Sequence, residues 1–316
     1  MQYKKLKIYT RKVYLILVIL ILSYMLSSYE LNILKSINFN LKFIISVTIT
    51  QLIIFCFSSL TWSGTLKIFA EKKIKYKDAF WQTAIFSVGK YIPGAFWGIL
   101  ARYVSIEDES SPSLSTNDNS SSVLYASLVE QIAVIHSAFI LTSLFFVSKL
   151  GILTVIIACF TSIVGVVQVF KFAPNIFEYF YKKEVVFLQK KAWAKYLFEY
   201  TFALFYYSIQ WSLACYIFFL IATNILNQKH SFDLFIELSA PNMLGAFVGI
   251  ISFFAPGGLG VREWFTGYFL QDKFPSTSII TVLLIYRLWL ILSDFVFLFL
   301  AYLFKVIQKN IENSKF

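Results

Sequence analysis

The chain is poor in charge: of its 316 residues, only 14% are Asp, Glu, Lys or Arg, against roughly a quarter in an ordinary soluble domain. Histidines number two and cysteines three. No HExxH, no Ser/His/Asp order and no pair of carboxylates in a polar context occurs, so metal- or histidine-based catalysis is not expected. Cys56, Cys159 and Cys215 each lie inside an apolar run, without CxxC or Cys/His spacing. They read as small apolar packing residues, and neither a disulfide framework nor a zinc site is expected, nor any other metal or cofactor. Proline is also scarce, at six residues, so the two places where Pro and Gly adjoin stand out.

What fills the chain instead is apolar: 58% of residues are hydrophobic and 19% aromatic. Apolar runs recur along most of its length and leave no room for a large soluble domain, so residues 1–316 read as one all-α polytopic membrane domain. The net charge of +11 comes from 28 basic and 17 acidic residues. The basic residues cluster between apolar runs, where they set topology and touch anionic headgroups. No nucleic-acid recognition module is visible, and nucleic acid is not an expected partner. The basic start followed by Val13 to Tyr29 imitates a signal peptide, but with no small-x-small site after it this run reads as a retained first span.

Six runs have the length of a full span, or nearly so: Val13–Tyr29, Phe43–Trp62, Val123–Val147, Gly151–Phe170, Tyr196–Thr223 and Ser278–Phe304. Two further segments, Ala79–Val104 and Glu237–Leu270, are interrupted at Pro93-Gly94 and Pro256-Gly257. Pro removes a backbone donor and Gly admits positive φ, so a helix stops at each place. Lysine and arginine cluster at the N-terminus, at 67–77, at 171–195 and at the C-terminus. The positive-inside rule puts all four on the cytoplasmic side of the cell membrane. The count of spans between them is consistent only if each broken segment makes no net crossing. The expectation is therefore two re-entrant hairpins entering from opposite faces, in an inverted pseudo-repeat with halves 1–170 and 171–316. The polar stretch 105–122 reads as a mobile cytoplasmic loop.

Charges at membrane depth each need a reason. Lys90 and Arg102 flank the first break, and Arg262 and Glu263 follow the second. Gly257, Gly258 and Gly260 permit a sharp turn and a close approach, and the helix starting near Val261 offers an N-terminus to an anion, beside the phosphate-matching fork of Arg262. The rival reading there is a local Arg262–Glu263 pair. Glu130 is a candidate counter-ion for a basic residue of a broken segment, while His136, about 240° further around the helix, reads as a packed histidine. Arg287 and Asp294 lie two helical turns apart on nearly one face, either as a structural ion pair or with Arg287 on the substrate.

These motifs resemble the lysylphosphatidylglycerol synthase transmembrane-region family, the flippase-like integral membrane proteins. Lys90-Tyr91-Ile92-Pro93-Gly94 with Trp97-Gly98 and Arg102 resembles its first motif, and Leu128-Val129-Glu130-Gln131 its following acidic position. Ala255-Pro256-Gly257-Gly258-Leu259-Gly260-Val261-Arg262-Glu263 is similar to its second and most specific motif, and Arg287 to a basic position in the next span. The resemblance covers nearly the whole chain and implies movement of a lipid between leaflets, either an anionic phospholipid or a polyprenyl-phosphate-linked glycolipid. It also implies a possible lipid-modifying or polysaccharide synthase as partner. No synthase domain follows, so aminoacyl transfer is not carried over. The expected phosphate ligands are Lys90, Arg102, Arg262 and Arg287, balanced by Glu130, Glu263 and Asp294. The rivals are a membrane transferase acting on a lipid-linked substrate, with Glu263 as its base, and a non-transporting partner of a synthase.

Overall fold

The computed structural model describes residues 41–70, 72–91, 97–107, 118–147, 151–154, 156, 159–160, 163, 193–252 and 255–313. The expected spans Val13–Tyr29 and, for the most part, Gly151–Phe170 lie outside the described residues, as do Pro93 and Gly94. Among the described residues the chain is helical, without a strand.

The long described elements run in a repeated order: a long helix, a pair of helices joined by a break, and a long helix, twice over. The first set is α1 (Leu41–Phe69), α2 (Tyr76–Gly89), α3 (Trp97–Glu107) and α4 (Asp118–Phe145). The second is α5 (Trp193–Leu226), α6 (Phe232–Ile251), α7 (Val261–Leu270) and α8 (Ser276–Asn313). Among the described residues, five helices are long and apolar enough to cross a membrane: α1, α4, α5, α6 and α8. Their outer faces are apolar too; Leu292, Phe295 and Phe299 of α8, for example, are all exposed. A helix apolar all round needs an apolar surrounding.

Each break joins an antiparallel pair. In the first, Gly89 lies against Gly98, where a Cβ built on Gly89 would sit 2.6 Å from the Gly98 Cα. Further along, Arg102 Nε donates to the Gln82 carbonyl at 3.3 Å. In the second, a Cβ on Gly245 would lie 2.4 Å from Thr266 Oγ1 and 2.6 Å from the Arg262 carbonyl. Lys273 ion-pairs with Glu237 and ties the two outer ends of that pair together.

The first arm of the second hairpin is long. The sequence reading takes Glu237–Leu270 as a broken segment with no net crossing, with a spanning arm over Glu237–Phe254 as its alternative. In the structure α6 begins at Phe232, where Ser231 caps it by accepting from the Leu234 N–H at 3.2 Å. It then runs through Pro241 for 20 residues, long enough to cross. Pro241 does not end the helix, so the break falls only at Ser252, whose ψ of 72° leaves the helical region.

Both hairpins pack on α8, from its opposite ends. Phe80 stacks edge-on against Phe297 at 4.6 Å, and Lys305 lies over the Trp81 ring at 5.3 Å, so the base of the first hairpin lies along the C-terminal half of α8. Leu270 joins Ile279 and Leu283 in a buried cluster with the end of α5, so the base of the second hairpin lies along the N-terminal half. The membrane-length stretch of α8 lies within Ser276–Ile307. Arg287 and Asp294 straddle its midpoint, and the two hairpin tips arrive there.

Candidate functional site

The site is built on the tips. At the end of α2 the chain turns once, with Tyr91 N–H donating to the Val88 carbonyl at 3.1 Å. This presents Lys90 and Tyr91 to α8. Asp294 receives both: its Oδ2 lies 2.7 Å from Lys90 Nζ and accepts from the Tyr91 hydroxyl at 2.6 Å. Asp294 is buried, whereas the Lys90 side chain keeps 44% exposure.

From the other side comes the Pro-Gly-Gly turn. Gly257 and Gly258 sit at φ 58° and 70°, a region that side-chain-bearing residues avoid. Space is short as well. A Cβ on Gly257 would lie 3.0 Å from Arg287 Nη2 and 3.3 Å from the Tyr91 ring, and one on Gly258 would lie 3.0 Å from the Gly249 Cα. The close approach expected of these glycines is therefore made to protein. Arg287 Nη2 donates to the Gly257 carbonyl at 2.7 Å, so α8 holds this tip also. One helix thus clamps both hairpin tips, one through a carboxylate and the other through a guanidinium, and Tyr91 touches Gly257 between them. Arg287 and Asp294 share a face, as their spacing implies, but each is spent on a different hairpin.

At the start of α7, Gly260 N–H donates to Glu263 Oε2 at 2.7 Å, so the helix's own carboxylate takes one of the free N–H groups there. The other Glu263 oxygen lies 3.7 Å from Arg287 Nε. Glu263 therefore turns toward Arg287 rather than pairing with its neighbour Arg262.

Arg262 is left with neutral partners. Its Nη2 donates to Asn242 Oδ1 at 3.2 Å and to the Tyr286 hydroxyl at 3.1 Å. The guanidinium lies 5.1 Å from the Tyr286 ring centre. Half-buried, it has no carboxylate partner among the described residues. Around the tips, three cations (Lys90, Arg262, Arg287) face two carboxylates (Glu263, Asp294), so the cluster carries one uncompensated positive charge.

Arg102 and Glu130 form a separate arrangement. Arg102, expected to face a ligand, is 1% exposed and ion-paired with Glu130. Its guanidinium is sandwiched between the rings of Trp62 and Phe86, at 4.0 and 4.1 Å. Glu130 accepts from the Tyr207 hydroxyl at 2.7 Å, which completes its coordination. The counter-ion role suggested for Glu130 is what the geometry displays, and it leaves Arg102 no free face. His136 lies 3.2 Å from the Tyr200 hydroxyl, packed and hydrogen-bonded.

Sequence reasoning missed Tyr91, Asn242 and Tyr286. Tyr91 adjoins Lys90 in the first motif, and Asn242 is a lone carboxamide in an apolar stretch; both signals were present. Tyr286 is one of 19 tyrosines and carries no mark. Among the described residues no cluster of His, Cys, Asp and Glu is placed to hold a metal ion. Beside the first hairpin, a cavity of about 620 Å³ runs between α2, α3 and α8, lined by Val88, Gly89, Trp97 and Leu100, with Lys305 at its outer end. No protein-family model matches the chain, and no curated protein does.

Proposed function

We propose that this protein moves an anionic lipid between the leaflets of a cell membrane, with Arg262 as the principal ligand of the headgroup phosphate. The observation that carries this reading is the uncompensated charge of Arg262. A half-buried guanidinium held through Nη2 on neutral acceptors carries a charge without a carboxylate partner, and a phosphate at the hairpin tips would supply the missing counter-charge. Lys90 and Arg287 lie in the same cluster and are released to the ligand when phosphate displaces the Asp294 and Glu263 carboxylates. Arg102 takes no part.

Both hairpins are re-entrant in this reading and enter from opposite faces. The pairing of Glu237 with Lys273 supports this for the second hairpin, since its two ends lie side by side. The apolar groove beside the first hairpin gives the lipid tail a path in the plane of the membrane while the headgroup crosses. Resemblance of both Pro-Gly motifs to flippase-like membrane proteins points to the same cargo class.

Purified protein in liposomes with a labelled anionic phospholipid is expected to exchange that lipid between leaflets faster than empty liposomes do. Exchange no faster than in empty liposomes would remove the transport reading. Exchange at the wild-type rate in Arg262→Ala would remove the anion site alone.

A further inference from the structure

A second cavity, of about 510 Å³, lies between the start of α1 and the turn that follows α5. Phe43 and Val47 of α1 pack in the same cluster as Ile279 and Leu283 of α8. This cavity is therefore at the opposite end of the molecule from the groove that ends at Lys305. It is also different in kind, being lined by basic and amide side chains where the groove is apolar.

Two lysines from separate elements, Lys42 and Lys229, line it together with His230. Asn224, Asn227 and Gln228 add carboxamides, and no Asp or Glu is among the described lining residues. The turn that brings them together is fixed. Asn227 takes φ 51°, a left-handed helix end, and Gln228 N–H donates to the Thr223 carbonyl at 3.0 Å. The His230 ring is held as well, with Nε2 3.1 Å from Thr223 Oγ1 and the ring 5.1 Å from that of Phe219.

Lysines that only snorkel to the bilayer surface diverge into solvent. Here Lys42 from the start of α1 and Lys229 from the turn after α5 line one concave site, beside three carboxamides. Such a set matches a phosphate carrying further oxygen acceptors, with the lysines on the charge and the carboxamides on neighbouring hydroxyl or ester oxygens. Its place at the end of two membrane-length helices is headgroup level.

We infer that this cavity is a binding site for a phosphate-bearing headgroup at the membrane surface opposite Lys305. The inference rests on the proposed function only in taking a membrane lipid as one source of that phosphate. The site itself holds equally for a free phosphate compound.

The test is a calorimetric titration of the full chain in phosphatidylcholine nanodiscs, with short-chain phosphatidylglycerol in one arm and inorganic phosphate in the other. Saturable binding in either arm, weakened about tenfold by Lys42→Gln and again by Lys229→Gln, is expected for loss of one charge-assisted contact each. Binding of the lipid alone assigns the site to a lipid headgroup, and binding of both assigns it to phosphate generally. Both lysines are exposed, so the variants keep the fold; Ser46→Trp, which fills the cavity, is expected to abolish binding independently. Absence of binding in both arms, or binding indifferent to the lysine pair and to Ser46→Trp, overturns the inference. Leaflet exchange is a separate readout: its absence beside intact, lysine-dependent binding removes the transport reading and leaves this site standing.

Discussion

Two arginines in the broken segments meet opposite fates. Arg102 is fully buried, stacked between Trp62 and Phe86 and paired with Glu130. Removing one partner of such a pair leaves an uncompensated buried charge, which costs about 3–5 kcal/mol. Arg102→Ala and Glu130→Gln are each expected to lower thermal stability in detergent by an amount of that order, and near-wild-type unfolding in both would show that the pair contributes nothing to the fold. Arg262 is only half-buried and touches neutral acceptors, so Arg262→Ala is expected to leave folding nearly intact while removing lipid exchange. The sequence marks both arginines as charges needing partners but does not separate them. The stacking rings on Arg102 come from α1 and α2, and the Tyr286 on Arg262 comes from α8. Those pairings are tertiary, and no local spacing announces them.

At the scale of elements, glycine decides how closely the hairpin arms approach. A Cβ on Gly245 would collide with Thr266 Oγ1 and the Arg262 carbonyl, whereas one on Gly64 meets nothing within 4 Å. Gly245→Ala is expected to destabilise by at least about 1–3 kcal/mol, as overpacking does, and to push α6 and α7 apart at the level of Arg262. Gly64→Ala, in the interior of α1, is expected to be neutral or to stabilise by up to about 1 kcal/mol. Unfolding of both variants in the same detergent checks the contrast; equal effects would mean that the two arms of the second hairpin do not pack as closely as this. The Pro-Gly signal at Pro256 falls inside the second break, between the end of α6 at Ile251 and the start of α7 at Val261, because positive φ and a missing donor are local properties. The length of α6 was not legible in the same way. Pro241 looks like a breaker in sequence, yet the helix passes through it, and Thr266 Oγ1 donates to the Pro241 carbonyl at 3.4 Å from the other arm of the hairpin.

For the whole molecule, the legible part was an all-helical, multi-pass architecture, because apolar runs of membrane length are a local property. Counting basic residues in short loops predicts hairpins on opposite faces; the packing brings the two broken helix pairs onto α8 from its opposite ends. That α8 clamps both tips was not legible, because Asp294 and Arg287 could as easily have paired with each other. The topology has its own check. In a background with Cys56, Cys159 and Cys215 replaced, single cysteines at Gln228 and Lys273 are expected to label from outside the cell, and one at Lys75 only after permeabilisation. Labelling of Gln228 and Lys273 from different sides would mean that the second hairpin crosses the membrane.

The transport reading rests on Arg262 holding a phosphate where the two tips meet. Its most direct measurement is leaflet exchange of a labelled anionic phospholipid in liposomes carrying either the wild-type chain or Arg262→Ala. Exchange above that of empty liposomes in the wild type, falling to the empty-liposome rate in the variant, is the expected result. A wild-type rate no faster than empty liposomes, or an unchanged rate in Arg262→Ala, would be incompatible with it.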